Sequence, residues 1–209
     1  MIASEKGIIK RKPKEFIFKV RTKDQLEAAL TMADYVIVPP SLYKKHKKIW
    51  LCPPRWGDFT LPKGVTDIYA QNVGHLMYDA EIHAGFGLNI INNEAASFLS
   101  DFGVNDITAG IEATKKDILR MKCDILTVYA YGRFPLMLIR QKMKGNLIDR
   151  TGRRFPIADD EILNSVKLSL AGKEVNADRL LFDFYDETPR QMNIALDNRE
   201  NITRGLYGF

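Results

Sequence analysis

The side chains able to carry out chemistry in this sequence are few, and they form no familiar catalytic or metal-binding motif. The histidines are His46, His75 and His83, and the cysteines are Cys52 and Cys123. His75 and His83 lie two turns apart on one predicted helix, which is too far to share a metal ion. HExxH, CxxC and GxSxG are all absent from the sequence. We therefore expect no metal site and no cofactor, and a packing role for Cys52.

Polar side chains instead follow the predicted strands. The arginines and amides suited to ligand binding are Arg21, Arg55, Asn72, Asn89, Asn92 and Arg133, and the candidate catalytic carboxylates are Glu112 and Asp183. Arginine forks suit carboxylate or phosphate groups, amides would orient a ligand, and the carboxylates would accept hydrogen bonds or act as acid and base. The alternative is structural, because such residues also make turns, helix caps and ion pairs, for example between Asp183 and Arg133.

Short runs of β-branched or aromatic residues, each bounded by turn residues, predict eight strands. They are Phe16–Val20, Tyr35–Val38, Lys48–Cys52, Asp67–Ala70, Leu88–Ile91, Asp106–Thr108, Ile125–Ala130 and Arg179–Phe184. Helical patterns alternate with most of them, at Asp24–Met32, Gly74–His83, Asn93–Phe102, Thr114–Met121 and after Thr188-Pro189.

Parallel neighbours need helical crossovers, and eight strands close a barrel that its own side chains fill. We therefore predict an α/β fold, a compact (β/α)8 TIM-like barrel with the polar strand ends gathered at its C-terminal mouth. The alternative is an open doubly wound sheet. Against it, no Gly-rich phosphate loop follows a predicted strand, since the close pair Gly85 and Gly87 precedes the fifth one.

The stretch from residue 140 to residue 170 breaks the alternation. It is long, basic and rich in turn residues, which predicts an inserted hairpin or lid between the seventh and eighth strands. We assign residues 1–14 to a basic tail or linker and residues 15–209 to one barrel domain.

The charge of the chain is unevenly spread. Residues 1–55 hold 13 Lys/Arg and 5 Asp/Glu, a net charge of +8, whereas the remaining 154 residues have a net charge of −3. Basic clusters within residues 6–14 and 44–48 can bind phosphate chains such as RNA, or simply face water. With no apolar run of about 18 residues, no secretory signal and only two cysteines, we expect a cytoplasmic protein.

Two stretches carry a family resemblance. The first comprises Gln71-Asn72-Val73-Gly74, Leu88–Ala96, Phe102-Gly103-Val104 and Thr108–Glu112. The second comprises Val128–Met137, Leu147–Arg150, Arg154-Phe155-Pro156, Asn164-Ser165 and the chain end at Thr203–Tyr207. In order and spacing these blocks resemble peptidase family U32, the collagenase-like peptidases, from about Phe16 onward.

The resemblance implies a barrel with one of several activities. Members are called peptidases, and several resemble hydroxylation factors for transfer RNA, ribosomal RNA or ubiquinone that hold an iron–sulfur cluster on four cysteines. In those members a cysteine closely follows the Pro-Leu-Met block. Here Leu138 follows it, and no cysteine occurs after Cys123. Because a cluster needs thiolate ligands, the resemblance implies a member without one.

Three functions remain open, and whether the chain is an enzyme at all is one of the questions. The first is a non-redox accessory or binding domain for RNA, for a partner such as a U32 catalytic barrel, or for a small anionic ligand. The second is a U32-type peptidase, a hydrolase acting through Glu112, Asp183 or His75. The third, a lyase, aldolase or isomerase, is disfavoured because no strand-end lysine stands out for a Schiff base.

Overall fold

The β-branched and aromatic runs form strands at seven of the eight predicted places. The computed structural model describes residues 8–104, 106–140, 143–158, 161–169 and 175–197. Its first seven strands are β1 (Glu15–Lys19), β2 (Tyr35–Val38), β3 (Ile49–Leu51), β4 (Asp67–Ala70), β5 (Glu81–Ala84), β6 (Asp106–Thr108) and β7 (Ile125–Gly132).

An antiparallel sheet is inserted between the seventh and eighth barrel strands. Its members are β8 (Pro135–Leu138), β9 (Gly145–Ile148), β10 (Arg154–Ala158) and β11 (Glu161–Leu163). They lie in the order β8-β11-β10-β9, and we call them the inserted sheet. A short strand, β12 (Leu168–Ser169), then pairs antiparallel with β7, and β13 (Arg179–Asp183) completes the barrel. The insertion is as predicted, although its first strand begins at residue 135.

Parallel pairing closes the eight strands into a barrel. The order is β7-β13-β1-β2-β3-β4-β5-β6, and β6 pairs back onto β7 through Asp106 and Ile125. That last pairing leaves no free edge, so the fold is the predicted TIM-like barrel and not an open doubly wound sheet.

In the described part of the chain four α-helices lie between or after the strands, in segments with predicted helical patterns: α1 (Lys23–Met32), α2 (Asn93–Ser100), α3 (Lys115–Arg120) and α4 (Pro189–Asp197). Helix α1 begins with a capping box, in which the Thr22 hydroxyl accepts from the Gln25 amide at 3.2 Å and the Gln25 side chain accepts from the Thr22 amide. Thr114 caps α3 in the same way with Asp117. These reciprocal bonds satisfy amides that a helix start would otherwise leave unpaired.

Aromatic side chains fill the barrel. Phe18 and Phe184 are fully buried and meet edge to face with their ring centroids 5.0 Å apart. Phe182 and Tyr129 are also buried. Each such ring contributes roughly 1.5–3 kcal/mol of apolar burial, so the barrel interior is a packed core.

The prediction for the fifth strand was wrong. The Leu88–Ile91 run contributes only an isolated bridge between Ile90 and Ala109. The strand is instead Glu81–Ala84, which overlaps the C-terminal end of the segment predicted as the helix Gly74–His83.

Tertiary contacts explain this error. Of the predicted helix only a 3-10 turn, Val73–Met77, forms. In β5 the His83 ring stacks on Trp50, with centroids 3.6 Å apart, and its Nδ1 lies 2.7 Å from Asp106. These partners come from other strands, so a local hydrophobic pattern cannot predict their contacts with β5.

Ion pairs close the N-terminal end of the barrel. Arg179, the first residue of β13, is buried, pairs with Glu15 and Asp106, and lies over the ring of Tyr35 at 4.7 Å. His83 joins this cluster through Asp106 and also lies 3.3 Å from Asp67. Each charged side chain named at this end lies next to a side chain of opposite charge.

The opening segment packs against the same end. The Arg11 amide donates to Asn176 Oδ1 at 2.7 Å, and its guanidinium donates to the Cys123 carbonyl at 2.6 Å and pairs with Asp178. Burial raises the pKa of the Cys123 thiol to about 11. Cys123 is therefore a protonated packing residue at the end of the barrel opposite the mouth.

We predict that the stabilisation contributed by His83 decreases as the pH rises. Burial opposes the charge on the imidazole, but the hydrogen bonds that the protonated ring donates to Asp106 and Asp67 outweigh it and raise the pKa of His83 above 6.5. Folding therefore favours the protonated form. This stabilisation is complete below the unfolded-state pKa and is lost as the pH rises through the folded-state pKa.

Urea denaturation of the wild type and the His83→Gln variant measures this effect. The difference between their free energies of unfolding should shrink from about pH 6 to about pH 9. A difference that stays constant over that interval would contradict the prediction.

Candidate functional site

The C-terminal ends of the barrel strands surround a cavity of about 210 Å³. We call it the mouth cavity. Its polar lining consists of the side chains of Lys19, Cys52, Arg55, Gln71 and Glu161. The first four lie at or just after the ends of β1, β3 and β4, while Glu161 comes from the inserted sheet. Residues far apart along the chain thus meet at this mouth, as the fold predicts.

Arg55 joins the barrel to the inserted sheet. Its Nε lies 3.2 Å from Glu161 Oε1, and its Nη2 donates to Gln71 Oε1 at 2.9 Å. The guanidinium also lies over the Phe86 ring at 5.4 Å. Burial raises the pKa of Glu161 above its usual value, against the opposing effect of Lys19 and Arg55. A carboxylate of the insertion is thus held among barrel cations.

Lys19 is a buried cation at the end of β1. Burial opposes its charge, but Asp183, with Nζ and Oδ2 at 3.4 Å, helps to raise the pKa of Lys19 above its usual value. Asp183 also pairs with Arg21, which donates to the Phe184 carbonyl at 2.7 Å. Lys19 is thus a strand-end lysine at the mouth, but its raised pKa keeps the amine protonated, which does not favour the Schiff-base chemistry considered from the sequence. The pair suggested for Asp183 and Arg133 does not form, since Asp183 is engaged by Lys19 and Arg21.

Asn72 and His75 position the loop that carries Arg55. The Asn72 side chain donates to the Arg55 carbonyl at 3.0 Å, and its oxygen caps the 3-10 turn through the His75 amide at 3.2 Å. His75 Nδ1 accepts from the Gln71 amide at 3.1 Å, while Nε2 lies 3.1 Å from the Pro54 carbonyl. Burial, with help from Arg55, lowers the pKa of His75. A neutral imidazole that accepts at one nitrogen and donates at the other fits both contacts.

The glycine pair at Gly85 and Gly87 follows β5, whereas the sequence placed it before the fifth strand. The Gly85 amide donates to the Ala70 carbonyl at 2.7 Å, and the Gly87 amide donates to Gln71 Oε1 at 3.1 Å. A Cβ on Gly87 would lie 2.3 Å from that same oxygen. Glycine is needed at position 87 because the backbone approaches Gln71 closely. The amides of Gly85 and Gly87 already donate within the protein, so they are not available to bind a phosphate.

The remaining predicted site residues lie outside the cavity lining. Asn89 and Glu112 are exposed, with Nδ2 and Oε2 3.4 Å apart. Asn92 is exposed and caps α2. Arg133 donates to the Asn164 carbonyl at 2.9 Å and so ties β7 to the insertion. Of the eight predicted residues, the structure therefore gathers Arg21, Arg55, Asn72 and Asp183 around the mouth.

Three polar lining residues are not among the eight residues predicted to bind a ligand or to act in catalysis: Lys19, Gln71 and Glu161. Lys19 and Gln71 stand at the ends of correctly predicted strands, so the strand-end rule would have found both with a sharper choice of positions. Glu161 carries no such signal, because its role depends on how the inserted sheet folds over the barrel.

Within the described ranges, no group of three or more His, Cys, Asp or Glu side chains is arranged to hold a metal ion. No helix in that part of the chain is long and apolar enough to cross a membrane.

Comparisons with known proteins add little to this geometry. No family model matches the chain, and no curated protein matches it either. A similar solved structure is that of the U32 peptidase Mk0906, with a TM-score of 0.48 and 11% sequence identity over 89% of this chain and 97% of that chain. The chemistry of the mouth therefore has to be argued from its own residues.

Two helix-capping asparagines provide a matched pair of variants. We predict that Asn72→Ala and Asn92→Ala each lower the free energy of unfolding by about 1 kcal/mol, because each removes a cap. If the mouth holds the small anion expected from the sequence, only Asn72→Ala should also weaken the binding of that anion, since this change releases the Arg55 carbonyl. Thermal unfolding and phosphate titration of both variants test this. Equal binding losses would show that Asn72 acts only as a cap.

Proposed function

We propose that this chain is a U32-like barrel that binds a small anionic ligand in the mouth cavity and carries out no redox chemistry. The observation that supports this is the burial of two cationic side chains, Lys19 and Arg55, in one cavity, with side-chain exposures of 8% and 16%. Buried charge is costly unless it is compensated, and an anion supplies that compensation.

The balance of charge at the mouth favours an anion. Three cations meet two carboxylates there: Lys19, Arg21 and Arg55 with Asp183 and Glu161. This leaves a net charge of +1 when both carboxylates are ionised. The raised pKa of Glu161 pushes that net charge toward more positive values. A ligand with a charge near −1 would neutralise the group.

The size of the cavity favours a small molecule over a polymer. A cavity of about 150 Å³ holds benzene, so roughly 210 Å³ suits a ligand of about 6–10 non-hydrogen atoms. Pro39, Pro40, Pro53 and Pro54 line the rest of the wall. A peptide or an RNA strand would need an open groove, so we favour the small ligand over RNA or a protein partner for this site.

The cysteines do not fit the cluster that the resemblance implies for some members. The chain has two cysteines, Cys52 beside the mouth cavity and Cys123 against Arg11 at the opposite end. Two thiols at opposite ends of a barrel cannot supply four thiolate ligands to one cluster.

Peptidase and Schiff-base chemistry have weaker support. Proteolysis needs an activated nucleophile, yet Asp183 is engaged by Lys19 and Arg21, and Glu112 is exposed outside the cavity. A Schiff base needs a neutral amine, whereas the pKa of Lys19 is raised, which keeps it protonated.

Calorimetric titration with inorganic phosphate and with propionate tests the proposal. Arg55→Gln removes a charge-assisted hydrogen-bond donor and should lower the affinity about tenfold or more. The control is Arg120→Gln, which removes an exposed arginine at the end of α3 and should leave the affinity unchanged. Equal affinities of all three proteins, or no binding of either anion, would refute the proposal.

A protease assay separates the proposal from its main alternative. We expect no hydrolysis of casein or gelatin by the purified chain. Hydrolysis that Glu112→Gln abolishes and Arg55→Gln leaves intact would instead support a peptidase acting through the exposed carboxylate.

A further inference from the structure

Two buried polar atoms beside the mouth cavity lack hydrogen-bond partners. Among the described residues, nothing donates to Glu161 Oε2 and nothing accepts from Gln71 Nε2. Both side chains line the cavity, and both residues are only 3% exposed. Buried polar groups are normally satisfied, so such a pair next to a cavity calls for partners that enter it.

The neighbouring contacts fix which atom of each side chain is left over. Gln71 Oε1 accepts from Arg55 at 2.9 Å and from the Gly87 amide at 3.1 Å, which sets the amide orientation and leaves Nε2 as a donor. Glu161 Oε1 faces Arg55 Nε at 3.2 Å, which leaves Oε2 as an acceptor. The residues that line the cavity therefore carry one unused donor and one unused acceptor.

A simple anion satisfies only half of this pattern. Its oxygens can accept from Gln71 Nε2 and pair with Lys19 and Arg55, but they cannot donate to Glu161 Oε2. The ligand needs a donor group as well as a negative charge. A hydroxycarboxylate has both and carries a charge of −1, whereas an amino acid has a net charge of zero and leaves the positive mouth uncompensated.

The proline wall directs recognition to the same side chains. Proline has no amide hydrogen, so Pro39, Pro40, Pro53 and Pro54 present no backbone donor to a ligand. Their rings can pack against a short carbon chain. Polar selectivity therefore falls on the side chains already named.

We propose that the mouth cavity binds a small hydroxycarboxylate. Its carboxylate accepts from Gln71 Nε2 and pairs with Lys19 and Arg55, and its hydroxyl donates to Glu161 Oε2. This proposal rests on the anion-binding function above and deepens it by naming the class of ligand.

Calorimetry of the full chain with propionate, lactate and alanine tests the proposal. These probes share a three-carbon carboxylate and differ at the second carbon in having hydrogen, a hydroxyl or an ammonium group. We expect lactate to bind about tenfold more tightly than propionate, because its hydroxyl gives a buried charged acceptor its partner. Alanine should bind more weakly than lactate.

The Glu161→Met variant assigns the hydroxyl preference to one residue. Removing its negative charge should strengthen the binding of both anions, but the ratio of lactate to propionate affinity should fall to about one. Gln71→Met, which loses the donor, should weaken the binding of both anions and keep the ratio of their affinities. The control variant Arg120→Gln, at an exposed residue of α3, should keep both affinities and their ratio at the wild-type level. Circular dichroism confirms that each variant is folded.

Each outcome decides between the two proposals. Equal affinity for lactate and propionate in the wild type would overturn the hydroxycarboxylate proposal and leave anion binding intact, because a trapped water would then satisfy Glu161. Tighter binding of alanine than of lactate would overturn it as well. So would a Glu161→Met variant with the same ratio of lactate to propionate affinity as the wild type. Failure of phosphate and all three probes to bind would refute anion binding itself.

Discussion

The contact between Arg55 and Glu161 joins the barrel to the inserted sheet, and the form of the mouth depends on it. Arg55 Nε and Glu161 Oε1 are 3.2 Å apart, and the Glu161 side chain is 5% exposed. A buried pair contributes little net stability once desolvation is counted, but either partner alone would be a costly uncompensated charge. The pair therefore specifies where the insertion lies. The insertion also contributes Glu161 to the wall of the cavity at the strand ends, so the mouth is lined by residues of both the barrel and the inserted sheet.

The two ends of the barrel handle buried charge differently. At the N-terminal end Arg179 has Glu15 and Asp106 as partners, and His83 lies between Asp106 and Asp67. There the ionic contacts are complete and the role is structural. At the mouth three cations face two carboxylates, and among the described residues an amide nitrogen and a carboxylate oxygen have no hydrogen-bond partner. Unsatisfied polar groups are costly in a folded protein and are found where a ligand or water supplies the missing contact. Arg11 Nε at the N-terminal end is unsatisfied in the same part of the chain. We place the site at the mouth because there the residues with an unused donor and an unused acceptor line one cavity together with two buried cations.

The sequence predicts the barrel well because its strands carry their own signal. Seven strands are β-branched or aromatic runs, and the helix starts at Thr22, Asn92 and Thr114 are local capping patterns. Strand β5 fails because its stability comes from Trp50 and two carboxylates on other strands. That single error moved the glycine pair to the wrong side of a strand. It also drew attention to Asn89 and Asn92, which the structure places on the surface.

The residues of the mouth also differ in whether the local sequence can predict them or whether they depend on contacts between distant segments. Arg55 and Asn72 could be named from the sequence because each follows a predicted strand, and strand ends of a parallel barrel share one face. Glu161 could not, because it belongs to an insertion whose path over the barrel depends on contacts with residues far away in the sequence, among them Arg55 and Arg133. Yet Glu161 is the residue that changes the chemistry of the mouth. Without it the strand ends would form a cationic pocket open to any anion. In the binding mode that we propose, its buried carboxylate oxygen disfavours a second negative group and favours a hydrogen-bond donor, so the insertion would supply selectivity and the barrel affinity.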